Sequence, residues 1–178
     1  SCYIWNISFV KELMSDLAKI LPDADFWAGG PEVSYDAEKF LTENSEFKGV
    51  MVGEGEETFK ELAGYYVEKN PQDLKNMTGI CYRDGDQIIH NGWRQIMDLS
   101  SIPFIYKDLS EFKNRIIYYE SSRGCPFSCS YCLSSIDKKL RFRDTETVKK
   151  ELQFFIDNKV PQVKFVDRTF NCKHDHAM

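Results

Sequence analysis

Short apolar runs alternate with helically spaced apolar positions over the first seventy residues of the chain. Runs bounded by turn residues predict buried strands over residues 1–7, 24–28 and 49–52. Between them, apolar side chains recur every three or four residues, with Pro22 ending the first helix and Ser34 able to cap the second. Strands that alternate with helices predict an α/β fold with a parallel, Rossmann-like sheet of right-handed crossovers. The apolar positions that define the three helices are Phe9, Val10, Leu13, Met14, Leu17, Ile20 and Leu21, then Ala37, Phe40 and Leu41, then Phe59, Leu62, Ala63, Tyr66 and Val67.

The pattern changes in the middle of the chain. Residues 79–83 and 87–90 are apolar runs on either side of a turn at 84–86, in which Gly85 can take a positive φ. This arrangement predicts a β-hairpin. Residues 91–114 show no regular period and suit a connector that crosses a surface, so we expect a domain boundary there.

The last third of the chain contains one strand–helix unit followed by another strand. Strands are predicted over residues 115–120 and 162–167, and a helix begins near Asp144 with Val148, Leu152, Phe155 and Ile156 facing inward. One such unit is the first β-α-β portion of a barrel and cannot close it, because two sheet edges stay open. Since the chain also lacks an initiator Met, we expect a piece of a longer protein. The predicted division is a partial α/β domain at 1–98, a linker at 99–114 and a truncated second domain at 115–178.

Composition excludes several classes of function. The 178 residues include 23 Lys and Arg against 28 Asp and Glu, a formal charge of −5, which argues against nucleic-acid binding by bulk electrostatics. The longest uncharged stretch, residues 124–136, falls well short of the roughly 18 apolar residues of a membrane span. The first residues have neither the charged n-region nor the small-residue cleavage site of a signal peptide. We therefore expect a cytoplasmic protein without a membrane or nucleic-acid partner.

Three of the six cysteines lie close together, which points to metal chemistry. Cys125, Cys129 and Cys132 are spaced four and three residues apart, whereas Cys2, Cys81 and Cys172 are scattered. Neighbouring thiolates repel one another unless a cation neutralises them, so the trio predicts a soft metal centre. Three ligands suit a four-iron cluster with one open iron, and a structural zinc site completed by a remote fourth ligand is the alternative.

The Cys loop resembles the signature of the radical S-adenosylmethionine (radical SAM) enzymes, C-x3-C-x2-C with an aromatic residue before the last cysteine. That aromatic is Tyr131 here. The resemblance implies a [4Fe-4S] cluster held by Cys125, Cys129 and Cys132, and Tyr131 packed near the adenine of S-adenosylmethionine. It also implies a partial TIM barrel, an electron donor such as flavodoxin or ferredoxin, and reductive cleavage of S-adenosylmethionine to a 5'-deoxyadenosyl radical.

A second polar segment ends the last predicted strand. The Gly-Gly-Glu sequence that the family often has there is absent, and Asp167 and Asn171 occupy the corresponding place. The resemblance implies that they contact the cofactor, and a solvated strand end is the alternative. Cys172, His174 and His176 are expected to form an unstructured tail.

The first half resembles the cobalamin-binding domain found upstream of many radical SAM enzymes. Ser1 and the Gly29-Gly30 pair lie where that domain contacts the nucleotide tail of its ligand, and a simple tight turn is the alternative for the glycines. No histidine precedes His90, so a lower cobalt ligand from an Asp-x-His-x-x-Gly loop is absent from this chain. The full protein is nevertheless expected to bind cobalamin.

Together these resemblances imply a fragment of a cobalamin-type radical SAM enzyme, the class that includes methyltransferases and the anaerobic oxidative cyclase of chlorophyll synthesis. The expected function is cobalamin-assisted methyl transfer or oxidative cyclisation on an unidentified small molecule, with this fragment inactive by itself. The alternative is a non-catalytic cobalamin- or nucleotide-binding module with a structural zinc in its Cys loop.

Overall fold

The computed structural model describes residues 1–68, 73–135 and 139–178. They form two compact units, Ser1–Ile96 and Met97–Met178. The segment predicted as a connector lies in the second unit, where several of its aromatic and aliphatic side chains pack against a core. These side chains are Phe104, Tyr106, Leu109 and Phe112.

The first unit contains a four-stranded mixed sheet. Its strands, in spatial order, are β1 (Phe26–Gly29), β2 (Phe47–Met51), β3 (Ile80–Asp84) and β4 (Gln87–His90). β1 and β2 are parallel, and β2, β3 and β4 pair in an antiparallel manner, with Gly85 at φ 60° in the β3–β4 turn. The predicted α/β fold class and the hairpin are confirmed, although the hairpin makes the sheet mixed.

The strand predicted over residues 1–7 is wrong, because none of these residues lies in a strand. Tyr3 N donates to Asn6 Oδ1 at 2.7 Å and Ile7 N donates to Tyr3 O at 3.0 Å, so the backbone turns instead of extending. An asparagine side chain that accepts from a nearby backbone N–H offers the chain a local alternative to a sheet ladder. The turn leads directly into a helix at Ile7.

Four helices flank this sheet: α1 (Ile7–Ile20), α2 (Pro31–Ser34), α3 (Ala37–Glu43) and α4 (Glu56–Val67). The helices lie where the apolar spacing predicts them, but fewer of their apolar side chains are buried than predicted. Phe9, Phe59 and Val67 are exposed, and α4 buries Thr58 beside Leu62. Ser34 ends α2 instead of capping the next helix, and its hydroxyl donates to Gly30 O at 2.8 Å.

The second unit is built around a parallel strand pair. β5 (Ile117–Tyr119) pairs with β8 (Val163–Phe165), and α5 (Thr145–Asp157) connects them as one crossover. Asp144 caps α5 by accepting from Thr147 N at 2.8 Å, which agrees with the helix start predicted near Asp144. Ile117, Tyr119, Val148 and Phe155 form the core, whereas Ile156, predicted to face inward, is 67% exposed.

Shorter elements complete the second unit. The short strands β6 (Ser122–Arg123) and β7 (Arg141–Phe142) pair in an antiparallel manner, and the helix α6 (His174–Ala177) lies near the end of the chain. α6 is a correction to the unstructured tail predicted there. In the ranges that the structure describes, no helix combines the length and the apolar character that crossing a membrane requires.

Candidate functional site

A cavity lies at the carboxyl ends of the parallel strands β1 and β2. It has a volume of about 310 Å³, and its lining includes Ser1, Gly29, Gly30, Gly53 and Gly55. The structure thus brings together the three residues of the first unit that the sequence predicts as ligand contacts. The crevice outside the carboxyl ends of parallel strands is the usual ligand position in open α/β sheets.

Gly30 has a structural requirement of its own in this region. Its φ is 112°, and a Cβ at this position would lie 2.7 Å from both Cys2 N and Cys2 O. The backbone of Cys2 fills that space: Cys2 N donates to Gly29 O at 2.6 Å, and Cys2 O accepts from Glu32 N at 3.2 Å. The glycine pair therefore lets the first residues of the chain pack against the end of β1, and its contact with a cofactor stays a prediction.

Sequence reasoning missed a contact between Gly53, which lines the cavity, and Trp93. Gly53 has φ 79°, and a Cβ there would lie 3.1 Å from the ring of Trp93. Trp93 also contacts Tyr35, with ring centroids 5.3 Å apart. No local pattern could have indicated this contact, because Trp93 follows the hairpin and reaches Gly53 only through the fold.

The three predicted cluster ligands lie on the loop that follows β6. Cys129 is exposed, Cys125 and Cys132 are partly exposed, and none of the three belongs to a disulfide. The ring of Tyr131 is 91% exposed. Within 1–68, 73–135 and 139–178, no three His, Cys, Asp or Glu side chains gather closely enough to hold a metal ion. The donor set of three accessible thiols nevertheless has the chemistry that a soft iron–sulfur centre requires.

In contrast to its tip, the base of the Cys loop is closely packed. The β6–β7 pair joins the outgoing and returning limbs, and Arg143 N donates to Ser121 O at 2.9 Å just beyond it. Gly124 has φ 96°, and a Cβ there would clash with the carbonyl group of Lys139. Part of the loop tip, residues 136–138, lies outside the described residues.

A hydroxyl contacts one of the loop thiols. Thr169 Oγ1 donates to Cys125 Sγ at 3.3 Å. This hydrogen bond, with that from the Phe127 backbone and the positive charge of Arg168, lowers the pKa of the Cys125 thiol. Thiolates, not thiols, bind metals, so the surroundings of Cys125 favour its ligating form.

Asp167 and Asn171 lie after β8, at the same end of the strand pair as the Cys loop. The Asp167 carboxylate accepts from Ser121 N at 2.8 Å, Ser121 Oγ at 2.5 Å and Ser122 Oγ at 2.8 Å. Asn171 is exposed. Sequence reasoning missed both serines, although two small polar residues just before a Cys loop are a usable signal. The predicted cofactor contacts of Asp167 and Asn171 stay predictions.

His176 also contributes to this region, contrary to the predicted tail. Its Nε2 lies 3.1 Å from Ser121 Oγ, and its ring centroid lies 4.7 Å from that of Phe142. Because the Ser121 hydroxyl has one proton and Asp167 accepts it, His176 Nε2 is the donor to Ser121. This order, with the serine between the other two, differs from a nucleophilic Ser–His–Asp triad, in which the histidine is central.

A buried ion pair supports the returning limb of the Cys loop. Arg143 Nη2 lies 2.6 Å from Glu151 Oε1, and Tyr119 Oη donates to Glu151 Oε2 at 2.5 Å. The guanidinium also donates to the backbone oxygens of Leu99 and Ile102. Burial, followed by the Glu151 carboxylate, raises the pKa of Tyr119. Sequence reasoning missed this network, because Arg143 and Glu151 lie 24 and 32 residues after Tyr119 along the chain.

Comparison with known proteins identifies the class to which these two regions correspond. Residues 1–63 match the family model of the B12 binding domain. The predicted resemblance is confirmed: the chain is similar to proteins that combine cobalamin binding with radical SAM chemistry.

Two curated relatives and one solved structure illustrate this similarity. The chain is 30% identical over 160 residues to the uncharacterized methyltransferase PH0819 of Pyrococcus horikoshii, covering 84% of this chain and 34% of the relative. It is 25% identical over 183 residues to the cobalamin-dependent radical SAM methyltransferase TokK of Streptomyces tokunonensis, covering 96% and 27%. The radical enzyme OxsB, solved with aqua-cobalamin and S-adenosylmethionine bound, has a TM-score of 0.71 at 19% identity, covering 93% and 24%. The chain thus spans about a third or less of each protein.

Proposed function

We propose that this chain is the part of a cobalamin-dependent radical SAM enzyme in which the cobalamin-binding region continues into the start of the radical SAM domain. The observation that carries the proposal is the glycine-lined cavity at the ends of β1 and β2, inside the stretch that matches the B12 binding domain. The same chain contains a loop with three cysteines outside any disulfide, on a closely packed base. We further propose that the whole protein transfers a methyl group, as the names of the two methyltransferase relatives suggest, and that its substrate is a small molecule.

In this proposal Cys125, Cys129 and Cys132 hold a [4Fe-4S] cluster. When bound, such a cluster supplies the electron that cleaves S-adenosylmethionine, and a small redox protein such as flavodoxin or ferredoxin would deliver it. The chain's own contribution is positional. The β6–β7 pair fixes both limbs of the loop, and Thr169 holds Cys125 in a state that favours the thiolate. Tyr131, with its ring almost fully exposed, is available to cover an adenine.

Ser1, Gly29 and Gly30 would hold the nucleotide end of cobalamin. Gly29 and Gly30 line the cavity without side chains, and Gly55 on the same lining has nothing within 4 Å of where its Cβ would lie, so a ligand can approach the backbone there. The Ser1 hydroxyl lies at the same cavity and can donate or accept a hydrogen bond. Because no histidine precedes His90, the first 89 residues offer the cobalt no histidine as a lower ligand.

A metal analysis separates this proposal from the zinc-binding module. The protein is reconstituted with iron and sulfide without oxygen, as the unaltered chain, as Cys129→Ala and as Cys172→Ala. Cys172 is the matched control because it is also an exposed free thiol but lies outside the trio. We expect about four iron and four sulfide in the unaltered chain and in Cys172→Ala, and a large loss in Cys129→Ala.

Two results would contradict the proposal. One is an unchanged iron and sulfide content in Cys129→Ala. The other is a single colourless zinc, retained through reconstitution, which would favour the non-catalytic module.

A further inference from the structure

We propose that Asp167 is a positioning residue that fixes the start of the Cys loop through Ser121 and Ser122. We call these three residues the Asp167 clasp. This role differs from the cofactor contact predicted from the sequence. It rests on the proposed function, since the loop that the clasp holds is the one assigned to the cluster.

The clasp joins the ends of two neighbouring strands. Val166 N donates to Tyr119 O at 2.9 Å, which continues the β5–β8 pairing up to Asp167. Beyond that point a side chain replaces the backbone as acceptor. The Asp167 carboxylate accepts from the N–H of Ser121, two residues after the end of β5. Asp167 therefore determines where the chain leaves the sheet, four residues before Cys125.

The carboxylate is largely occupied by these contacts. An ionised carboxylate offers about four acceptor positions. Asp167 Oδ2 accepts from both serine hydroxyls, at 2.5 and 2.8 Å, and Oδ1 accepts from the Ser121 amide at 2.8 Å. Ser121 and Ser122, which lie just before the Cys loop, thus occupy three of the four acceptor positions. Ser121 and Ser122 are each only 1% exposed, so water cannot readily replace Asp167 as their partner.

Ser121 transmits the constraint to the other limb of the loop. Its carbonyl oxygen accepts from Arg143 N at 2.9 Å, and Arg143 is held in turn by Glu151. Its hydroxyl accepts from His176. Fixing Ser121 therefore fixes the outgoing and the returning limb relative to β8. A constraint of this kind limits the conformations of the loop that carries the thiols, which lowers the ordering cost of binding a metal there.

The experiment compares Asp167→Asn, Ser121→Ala, Ser122→Ala and the double variant Asp167→Asn/Ser121→Ala. Gln162→Ala is the matched control, because Gln162 is an exposed polar residue that precedes β8, at the end of the strand away from Asp167. In the chain without a cluster, amide exchange of Ser121 is measured by NMR. We expect exchange about tenfold faster in Asp167→Asn, as for the loss of one hydrogen bond to a charged acceptor.

In reconstituted protein, two quantities are measured. One is the rate at which a chelator removes the iron. The other is the affinity for S-adenosylmethionine of the molecules that retain a cluster, followed by EPR. We expect iron loss about tenfold faster in Asp167→Asn and in Ser121→Ala, with the double variant no worse than either, because residues of one network are not additive. The affinity for S-adenosylmethionine should stay unchanged.

The proposal is overturned if Asp167→Asn weakens S-adenosylmethionine binding while Ser121→Ala changes nothing, because Asp167 then contacts the cofactor directly. Unchanged exchange of the Ser121 amide would also overturn it. Ser122→Ala removes a single donor and keeps the test decisive if Asp167→Asn fails to fold. If the unaltered chain forms no cluster, the proposed function fails, but the amide exchange still judges the clasp.

Discussion

The glycine-lined cavity of the first unit and the Cys loop of the second differ in how completely the fold prepares them. The cavity is bordered by packing that needs no ligand, since Cys2 contacts the backbone of Gly29 and Gly30 and the ring of Trp93 lies against Gly53. The Cys loop has an equally well packed base, but Cys129 and Tyr131 at its tip are exposed.

This difference follows from the chemistry of the two sites. Apolar and backbone surfaces can pack closely without a ligand, so a pocket for an organic cofactor can exist beforehand. Three thiolates cannot be packed together in this way, because their charges repel until a cation neutralises them. The fold therefore fixes the loop at its base, through Glu151, Arg143 and the Asp167 clasp, and leaves the final approach of the thiols to the metal.

The strongest test of this comparison removes the buried carboxylate of the loop base. Glu151→Ala leaves the Arg143 guanidinium buried without the carboxylate that pairs with it, and should lower the free energy of unfolding of the second unit by about 3 to 5 kcal/mol. Tyr119→Phe removes only one hydrogen bond and should cost about 1 kcal/mol. Urea unfolding followed by far-UV circular dichroism measures both.

Tryptophan fluorescence provides the internal control for this prediction. The three tryptophans, at positions 5, 27 and 93, all belong to the first unit. Their unfolding transition should not move in Glu151→Ala. An equal shift of the fluorescence and dichroism transitions would mean that the two regions do not have separate stabilities.

The second test places a methyl group where Cys2 packs against Gly30 beside the cavity. Gly30→Ala introduces a Cβ 2.7 Å from Cys2 N, at a backbone conformation that is essentially restricted to glycine. We expect a loss of about 2 to 3 kcal/mol, measured by tryptophan fluorescence in urea. Gly55→Ala is the matched control: it lines the same cavity, its φ is −90°, and its Cβ would meet nothing within 4 Å. A similar loss in both variants would show that the packing of Cys2 against Gly30 is not the cause.

The smallest expected effect concerns the buried thiol of Cys81. Burial, with the Glu38 carboxylate nearby, raises the pKa of Cys81 from its ordinary 9.0 to about 11. The raised pKa means that the folded chain holds the thiol proton more tightly than the unfolded chain does. The resulting stabilisation is complete below pH 9 and is lost as the pH rises through 11.

Comparison with Cys81→Ala isolates this effect from the lysines and tyrosines that titrate in the same range. The difference in unfolding free energy between the two proteins should shrink between pH 9 and 11. Cys81 should also be unreactive to a disulfide reagent at pH 8 in the folded chain, whereas the exposed Cys129 and Cys172 should react at once. A constant difference across this pH range would show that Cys81 titrates normally.

Most helices and the strand–helix order could be predicted from periodicity, because burial of one face imposes a regular spacing. The failures have local causes. Asn6 turns the backbone where a strand was expected, and Ile156 lies one position beyond the buried face of α5. His176 could not be placed, because its partners Ser121 and Phe142 are distant in sequence and nothing in the last five residues indicates them.

By itself, the sequence was enough to predict which proteins this chain is similar to, from a Cys trio at a characteristic spacing, a glycine pair after a strand, and a helix between two strands. These features depend on the spacing of neighbouring residues along the chain, so they can be recognised from the sequence. Only the tertiary structure decided what surrounds them, including the Asp167 clasp, the Arg143–Glu151 pair and the contact of Trp93 with Gly53. Such contacts form between residues tens of positions apart, and their energy comes from burial and charge pairing that exist only once the chain has folded.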